Sequence, residues 1–150
     1  MLYQKYLKTL KTCPFCELEK DEILKQNKHA MLILAKAPYT KDHLLVVPKK
    51  HALKLNSLSK KEKDAVEKLI YFGMKKLHKR YKNVITLYRE GNKKEVGKSV
   101  DHLHYHLIPN MQINEKDAGQ IVSRGVDWRK RKIYSDEMYI KKVKEIKKRL

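Results

Sequence analysis

The chain has 150 residues, 41% of them hydrophobic, which suits one domain with a real core. It has no run of about 18 uncharged apolar residues, so no membrane span is expected, and Met1-Leu2-Tyr3-Gln4-Lys5 lacks the apolar run and small-residue cleavage site of a secretory signal, so the cytoplasm is the expected location. Lys and Arg number 36 against 17 Asp and Glu, a formal charge of +19 that draws polyanions; because lysine is spread along the whole chain, compositional bias is the favoured reading and nucleic acid a secondary one.

Residues 1–12 read as a short basic helix or arm. Cys13-Pro14-Phe15-Cys16 forms a knuckle. A structural disulfide fits poorly with a reducing compartment. A redox pair needs a preceding strand, and none is evident. Metal binding is the better reading if two more ligands exist, against a plain reduced pair. Glu17 to Lys28 is polar and reads as helix or loop.

Ala30 to Ala35 reads as a buried strand, Pro38 to Asp42 as a turn, and His43 to Val47 as the partner strand, stopped by Pro48. Ser59-Lys60-Lys61-Glu62 matches a capping box. The helix it opens carries Val66, Leu69, Ile70, Gly73 and Leu77 as its apolar stripe and should end near Tyr81. Val84 to Tyr88 is a strand, and Glu90 to Lys98 a polar loop with Gly91 and Gly97. His102 to Ile108 is a strand ended by Pro109. Residues 111–128 look irregular, and Ser135 to Leu150 reads as a basic helix with Met138, Ile140, Val143 and Ile146 as apolar positions. The order sheet, helix, sheet, helix predicts an α+β fold.

Of seven histidines, His29 and His78 are scattered. His102, His104 and His106 alternate with Leu103, Tyr105 and Leu107, which in a strand puts all three imidazoles on one face at roughly 7 Å intervals. A solvated polar face or a loose metal tract would also give this pattern. A row of imidazoles serves best as metal ligand, nucleophile or acid/base groups near neutral pH.

Gly97-Lys98-Ser99-Val100-Asp101-His102-Leu103-His104-Tyr105-His106-Leu107-Ile108-Pro109 resembles the signature of the histidine triad (HIT) superfamily. Two more segments agree with it: Pro38-Tyr39 followed by His43-Leu44-Leu45-Val46-Val47-Pro48-Lys49-Lys50-His51, and Cys13-Pro14-Phe15-Cys16. The resemblance implies a HIT-like fold, with an antiparallel sheet of about five strands, a long helix packed on it and a C-terminal helix. It places a single domain over residues 1–150, with its core at about 13–110 and a C-terminal extension with a basic helix at 111–150.

The resemblance also implies a nucleotide hydrolase or transferase cleaving at the α-phosphate of an adenine nucleotide or dinucleoside polyphosphate. His104 would be the nucleophile and form a nucleotidyl-histidine. His106 would stand at the phosphate and leaving group, His43 at the phosphate oxygens, and Ser99 beside the departing group. A structural zinc would be held by Cys13, Cys16, His51 and His102, and a homodimer is implied.

Departures from the family pattern bear on substrate rather than reaction. Ala35 stands where an Asp or Asn usually accepts from the ribose, Asp42 where Gly is common, and Lys98 where Gln is common. Arg89 or Asn92 stands in for a phosphate-contacting Asn. Lys98 and Arg89 add positive charge near the phosphates. The alternative is a catalytically weak HIT protein that binds nucleotide or nucleic acid, or a hydrolase of adenylated nucleic acid. Trp128-Arg129-Lys130-Arg131-Lys132 reads as an aromatic anchor flanked by solvated cations, with a base-stacking platform as the competing reading.

Overall fold

The computed structural model describes residues 1–111 and 131–150. In chain order its elements are helix α1 (Tyr3–Thr9), strands β1 (Ile23–Gln26), β2 (Ala30–Leu34) and β3 (Leu44–Pro48), helix α2 (Lys60–Leu77), strand β4 (Val84–Leu87), the short helix α3 (Lys93–Val96), strand β5 (Tyr105–Pro109) and helix α4 (Asp136–Lys147). The strands form one antiparallel sheet in the order β1-β2-β3-β5-β4. This is the α+β architecture expected from the sequence. No helix among the described residues is long and apolar enough to cross a membrane.

β2 and β3 are buried along their whole length because both faces of the sheet are covered, and this is why they read as continuous apolar runs. Their register, Ala30 opposite Pro48 through Leu34 opposite Leu44, sorts the side chains by face. Leu32, Leu34, Leu44, Val46 and Leu107 join the main core with Val66, Leu69 and Leu77 of α2. Met31, Ile33, Ala35, Leu45 and Val47 face the other way, against Phe15 and Leu18.

α2 begins as its capping box predicts. The Ser59 hydroxyl accepts the Glu62 N–H at 3.2 Å, and the Glu62 carboxylate accepts the Ser59 N–H at 2.9 Å. Its buried face is Ala65, Val66, Leu69, Gly73 and Leu77, while Ile70 is only partly buried. Gly73 is where the helix crosses the sheet most closely: a Cβ there would stand 2.5 Å from Leu107 Cδ1, which is itself fully buried. Gly73→Val is therefore expected to lower stability by about 1–3 kcal/mol through overpacking, despite the better helix propensity of valine. Thermal melting checks this, and an unchanged midpoint would mean that the crossing has slack.

Four expectations change. Glu17 to Lys28 contains β1, an edge strand. Only Leu24 of β1 is buried, and the polar exposed positions that hid it are what an edge strand needs. The loop Glu90 to Lys98 contains α3. The sheet pairing of the histidine segment starts at Tyr105, so His102 and His104 precede the ladder. The chain leaves the sheet there because the Leu103 N–H donates to the Ala52 carbonyl at 2.7 Å. The face of α4 is rotated from its expected setting: Tyr139, Val143 and Ile146 are buried and Met138 is exposed, with the Tyr139 hydroxyl donating to the Leu34 carbonyl at 2.8 Å. Of the segment 111–128, all but Met111 lies outside the described residues, as do Trp128, Arg129 and Lys130.

The two ends of the chain meet. Leu2 bridges Lys132 in antiparallel fashion, the Tyr3 N–H donates to the Arg131 carbonyl at 2.8 Å, and the Ile133 N–H donates to the Met1 carbonyl at 3.0 Å. Tyr3 and Tyr6 of α1 thereby line the same cleft as His43, His104 and His106.

Candidate active site and metal centre

His106 reaches the site from β5, His104 from the residue just before that strand, and His43 from the turn that leads into β3. The β3–β5 register sets Leu45 opposite His106, so His43 and His106 come side by side. Their rings stack at 5.1 Å, and His43 Nε2 lies 3.0 Å from His106 Nδ1. The His104 ring meets His106 edge-on at 4.9 Å. All three are buried.

The hydrogen bonds assign the protons. His43 Nδ1 accepts the Tyr39 N–H at 3.2 Å, so its proton sits on Nε2 and is donated to His106 Nδ1. His106 must then carry its own proton on Nε2. His104 Nδ1 lies 2.7 Å from the His102 carbonyl and can only donate there, which leaves its Nε2 as a free lone pair. The site therefore presents a bare imidazole nitrogen next to an imidazole N–H donor.

Electrostatics hold the three neutral. Burial pulls His104 down to about 4, partly countered by the bond to His102, with Arg89 and Lys98 adding to the fall. Burial, then Arg131, pulls His43 down to about 3. His106 is pushed well below the ordinary range by burial and by His43.

Gly97, at φ 72°, caps α3 in the left-handed region and turns the chain toward the histidines. Ser99, two residues on, lines the cleft together with His43, His104 and His106. Lys98 is nearly enclosed, its side chain 7% exposed, and is paired with Asp101 at 3.2 Å. Arg89 is half-buried and acts on all three histidines. Asn92 does otherwise: its side chain caps α3 by accepting the Lys94 N–H at 2.9 Å, and it lines, with Gly91, Lys93 and Lys98, a depression distinct from the histidine cleft.

The remaining walls of the cleft are mostly apolar, from Phe15, Leu18, Ile33, Ala35 and Leu45, and its cavity volume is about 60 Å³. Three contributors were missed in the sequence. Phe15 meets His102 at 5.7 Å and His104 at 5.2 Å; its position inside the Cys-Pro-Phe-Cys knuckle ties it to whatever the cysteines touch. Tyr39 lies 5.5 Å from His43. Arg131 reaches the cleft from a run read as solvated, and nothing in that run distinguishes it from its neighbours.

On the far side of His102, the donor atoms of Cys13, Cys16, His51 and His102 all lie within 4.8 Å of one another. His102 Nδ1 is 3.4 Å from Cys13 Sγ, 3.6 Å from Cys16 Sγ and 3.2 Å from His51 Nδ1; Cys16 Sγ is 3.3 Å from His51 Nδ1. A tetrahedral zinc with ordinary bond lengths has edges of about 3.3 Å between nitrogens and about 3.6 Å between nitrogen and sulfur, so the donor set fits. The second shell agrees: His102 Nε2 donates to the Pro48 carbonyl at 2.7 Å, leaving Nδ1 as the ligating nitrogen. Burial and the adjacent Cys13 push the Cys16 thiol up to about 11, a clash that a cation between the sulfurs would reverse.

The sequence profile of the HIT domain matches residues 17–113. The chain belongs to the HIT family. A HIT-like protein of Mycoplasma genitalium is 32% identical over 108 residues, 69% of this chain and 77% of that one. An adenosine 5′-monophosphoramidase of Schizosaccharomyces pombe is 31% identical over 102 residues, 65% of this chain and 74% of that one. Among solved structures, the diadenosine triphosphate hydrolase of Plasmodium falciparum superposes with a TM-score of 0.67 at 22% identity, over 87% of this chain and 77% of that one. The fold is the HIT fold.

Within this HIT chain the departures noted above have distinct structural settings. Ala35 lines the cleft and offers no side-chain acceptor. Asp42, with φ 63°, occupies the left-handed conformation that favours glycine and that aspartate tolerates. Its carboxylate accepts the Tyr81 hydroxyl at 2.6 Å and pairs with Arg149 at 3.3 Å. Burial would raise Asp42, but these two partners hold it below the usual carboxylate range. Asp42 thus ties α4 and the end of α2 to the turn that presents His43.

Proposed function

We propose that this chain is a nucleotide hydrolase or transferase that cleaves at the α-phosphorus of an adenine nucleotide or dinucleoside polyphosphate through a nucleotidyl-histidine on His104. The observation that carries the reading is the bare Nε2 of His104, produced by the 2.7 Å bond from its Nδ1 to the His102 carbonyl. The names of the yeast relatives support an adenine nucleotide: adenosine 5′-monophosphoramidases of Schizosaccharomyces pombe and, at 31% identity, of Saccharomyces cerevisiae.

In this reading the lone pair of His104 Nε2 attacks phosphorus, and the bond to the departing group breaks with its electron pair. That group takes a proton from solvent. The adduct is an imidazolium, which the His102 carbonyl stabilises through Nδ1–H. The His106 Nε2–H, held by His43, donates to the reacting phosphoryl group, and Ser99 supplies a hydroxyl beside the departing atom. Arg89 and Lys98 add positive charge as negative charge builds up. Water then attacks phosphorus, the P–N bond breaks, and its electron pair returns to His104. The proton released at this stage balances the one taken up by the leaving group. Cys13, Cys16, His51 and His102 would hold a structural zinc. That ion joins no step; it would fix the residue whose carbonyl orients the nucleophile.

Incubation with AMP-phosphoramidate, ADP, dinucleoside polyphosphates and 5′-adenylated DNA should release AMP from at least one of them. Intact-protein mass after an alkaline denaturing quench should carry one nucleotidyl group. Ala35 favours a second reading, since it removes a sugar acceptor from the cleft: a weak binder would bind these ligands with no AMP released and no adduct.

A further inference from the structure

Arg131 is the strongest feature of the molecule left unused by the reaction above. It comes from the segment that follows residue 130, carried onto the cleft by the pairing of residues 131–133 with Met1 and Tyr3. Its guanidinium carbon stands 4.0 Å from the centre of the Tyr39 ring and 5.0 Å from that of Tyr3. Nη1 donates to the Ala37 carbonyl at 2.7 Å. Two rings and a backbone bond therefore set the plane of the group, and a guanidinium set this way offers its other N–H groups in a fixed fork.

The charge of this group has no counterion among the described residues. Its Nε is buried and unpartnered there, a costly condition for a charged donor unless a ligand meets it. Among the described residues, no aspartate or glutamate lines the cleft. The other cation on its wall among the described residues, Lys36, is already paired with Glu22 at 3.0 Å. The Tyr39 ring on which Arg131 stacks lies 5.5 Å from His43 and 6.2 Å from His106, whereas His104 has Phe15 at 5.2 Å. Arg131 therefore lines the cleft beside the His43–His106 pair, backed by the Tyr39 ring. Its unpaired charge is thus offered to the part of the substrate that passes His43 and His106.

We infer that Arg131 is a specificity-determining residue that binds a second phosphoryl group of the substrate, on the Tyr39 side of the histidines. Two oxygens of a phosphoryl group match the paired N–H groups of its fork. The inference deepens the nucleotide reading and rests on it for the identity of the substrate, but the anion site itself can be tested apart from turnover. A second phosphoryl group has two chemical sources, the phosphate chain or a phosphorylated sugar.

The test is calorimetric titration of the full chain and of Arg131→Ala and Arg131→Lys with AMP, ADP, adenosine 3′,5′-bisphosphate and inorganic pyrophosphate. In Arg131→Ala, affinity for ADP or for the 3′,5′-bisphosphate should fall about tenfold or more, with AMP falling by clearly less; Arg131→Lys should recover part of the loss. Which of the two bisphosphates responds identifies the source. Equal losses for AMP and both bisphosphates, or no loss for any ligand, overturns the inference. Pyrophosphate separates the two readings. If no nucleotide binds but pyrophosphate does, and Arg131→Ala weakens it, the nucleotide reading falls and the anion site stands. If His104→Ala keeps full turnover while Arg131→Ala still discriminates ADP from AMP, the mechanism alone is wrong. Circular dichroism and melting of each variant separate loss of the site from loss of the fold.

Discussion

Replacing His104 by alanine should lower turnover by at least about 10³-fold, equivalent to about 4 kcal/mol of transition-state stabilisation, and abolish the nucleotidyl adduct while nucleotide still binds. The size follows from the proton assignment. Of the imidazoles of His43, His104 and His106, only that of His104 presents an unprotonated Nε2; His106 carries its proton there because His43 donates to its other nitrogen. No neighbouring imidazole can take over the attack without a change of tautomer. His104→Ala also empties space beside Phe15, so melting must accompany the assay. Residual turnover within tenfold of the parent, in a variant that melts normally, would end the proposal of His104 as nucleophile.

The same assignment gives the pH dependence. The His104 pKa is lowered to about 4, so at neutral pH its reactive nitrogen is free, and kcat/KM should stay level until the pH approaches that value from above. Below it, protonation removes the nucleophile about tenfold per unit. A neutral, depressed histidine also makes folding pH-dependent. Its unfolded form takes up a proton near 6.5 and its folded form near 4, so stability is present above 6.5 and is lost as the pH falls across that window. Activity assays in acid must therefore be read beside melting curves, because unfolding alone could imitate the titration.

How far the sequence carried depended on whether a residue's role was local. The hairpin of β2 and β3 and the start of α2 were legible because burial and capping write themselves into adjacent residues. The four residues of the Cys/His cluster were legible only through the family resemblance, since Cys13, Cys16, His51 and His102 come from three separate stretches of chain. β1 was hidden because an edge strand with one buried side chain has no apolar signature. The rotated face of α4 was hidden because Tyr139 is amphipathic and counted for less than Met138, although its hydroxyl finds the Leu34 carbonyl. Arg131 could not be distinguished from the cations around it, because its place at the cleft depends on a long-range pairing between the two ends of the chain.

Removing the metal should destabilise the fold and the site together. The chain as purified is expected to hold one zinc. Stripping it with a strong chelator, or changing Cys13→Ser and Cys16→Ser, should lower the melting midpoint by roughly 10 °C or more, the scale of losing several kcal/mol in a chain of this size. The geometry supplies the reason. The cluster joins the N-terminal knuckle, the segment after β3 and the segment before β5, and without an ion the lone pairs of its sulfurs and imidazole nitrogens crowd one another at 3.2 to 3.6 Å with no cation to share. Phe15 rides between the two cysteines and packs on His104, and the His102 carbonyl orients the His104 nucleophile, so kcat should fall with the midpoint. Cobalt(II) offers a readout independent of turnover: a tetrahedral site with two sulfur and two nitrogen ligands gives intense visible absorption, which Cys13→Ser should weaken and shift. A chain that purifies without zinc, shows no such cobalt spectrum and melts alike with and without its cysteines would show that the four residues meet for packing alone.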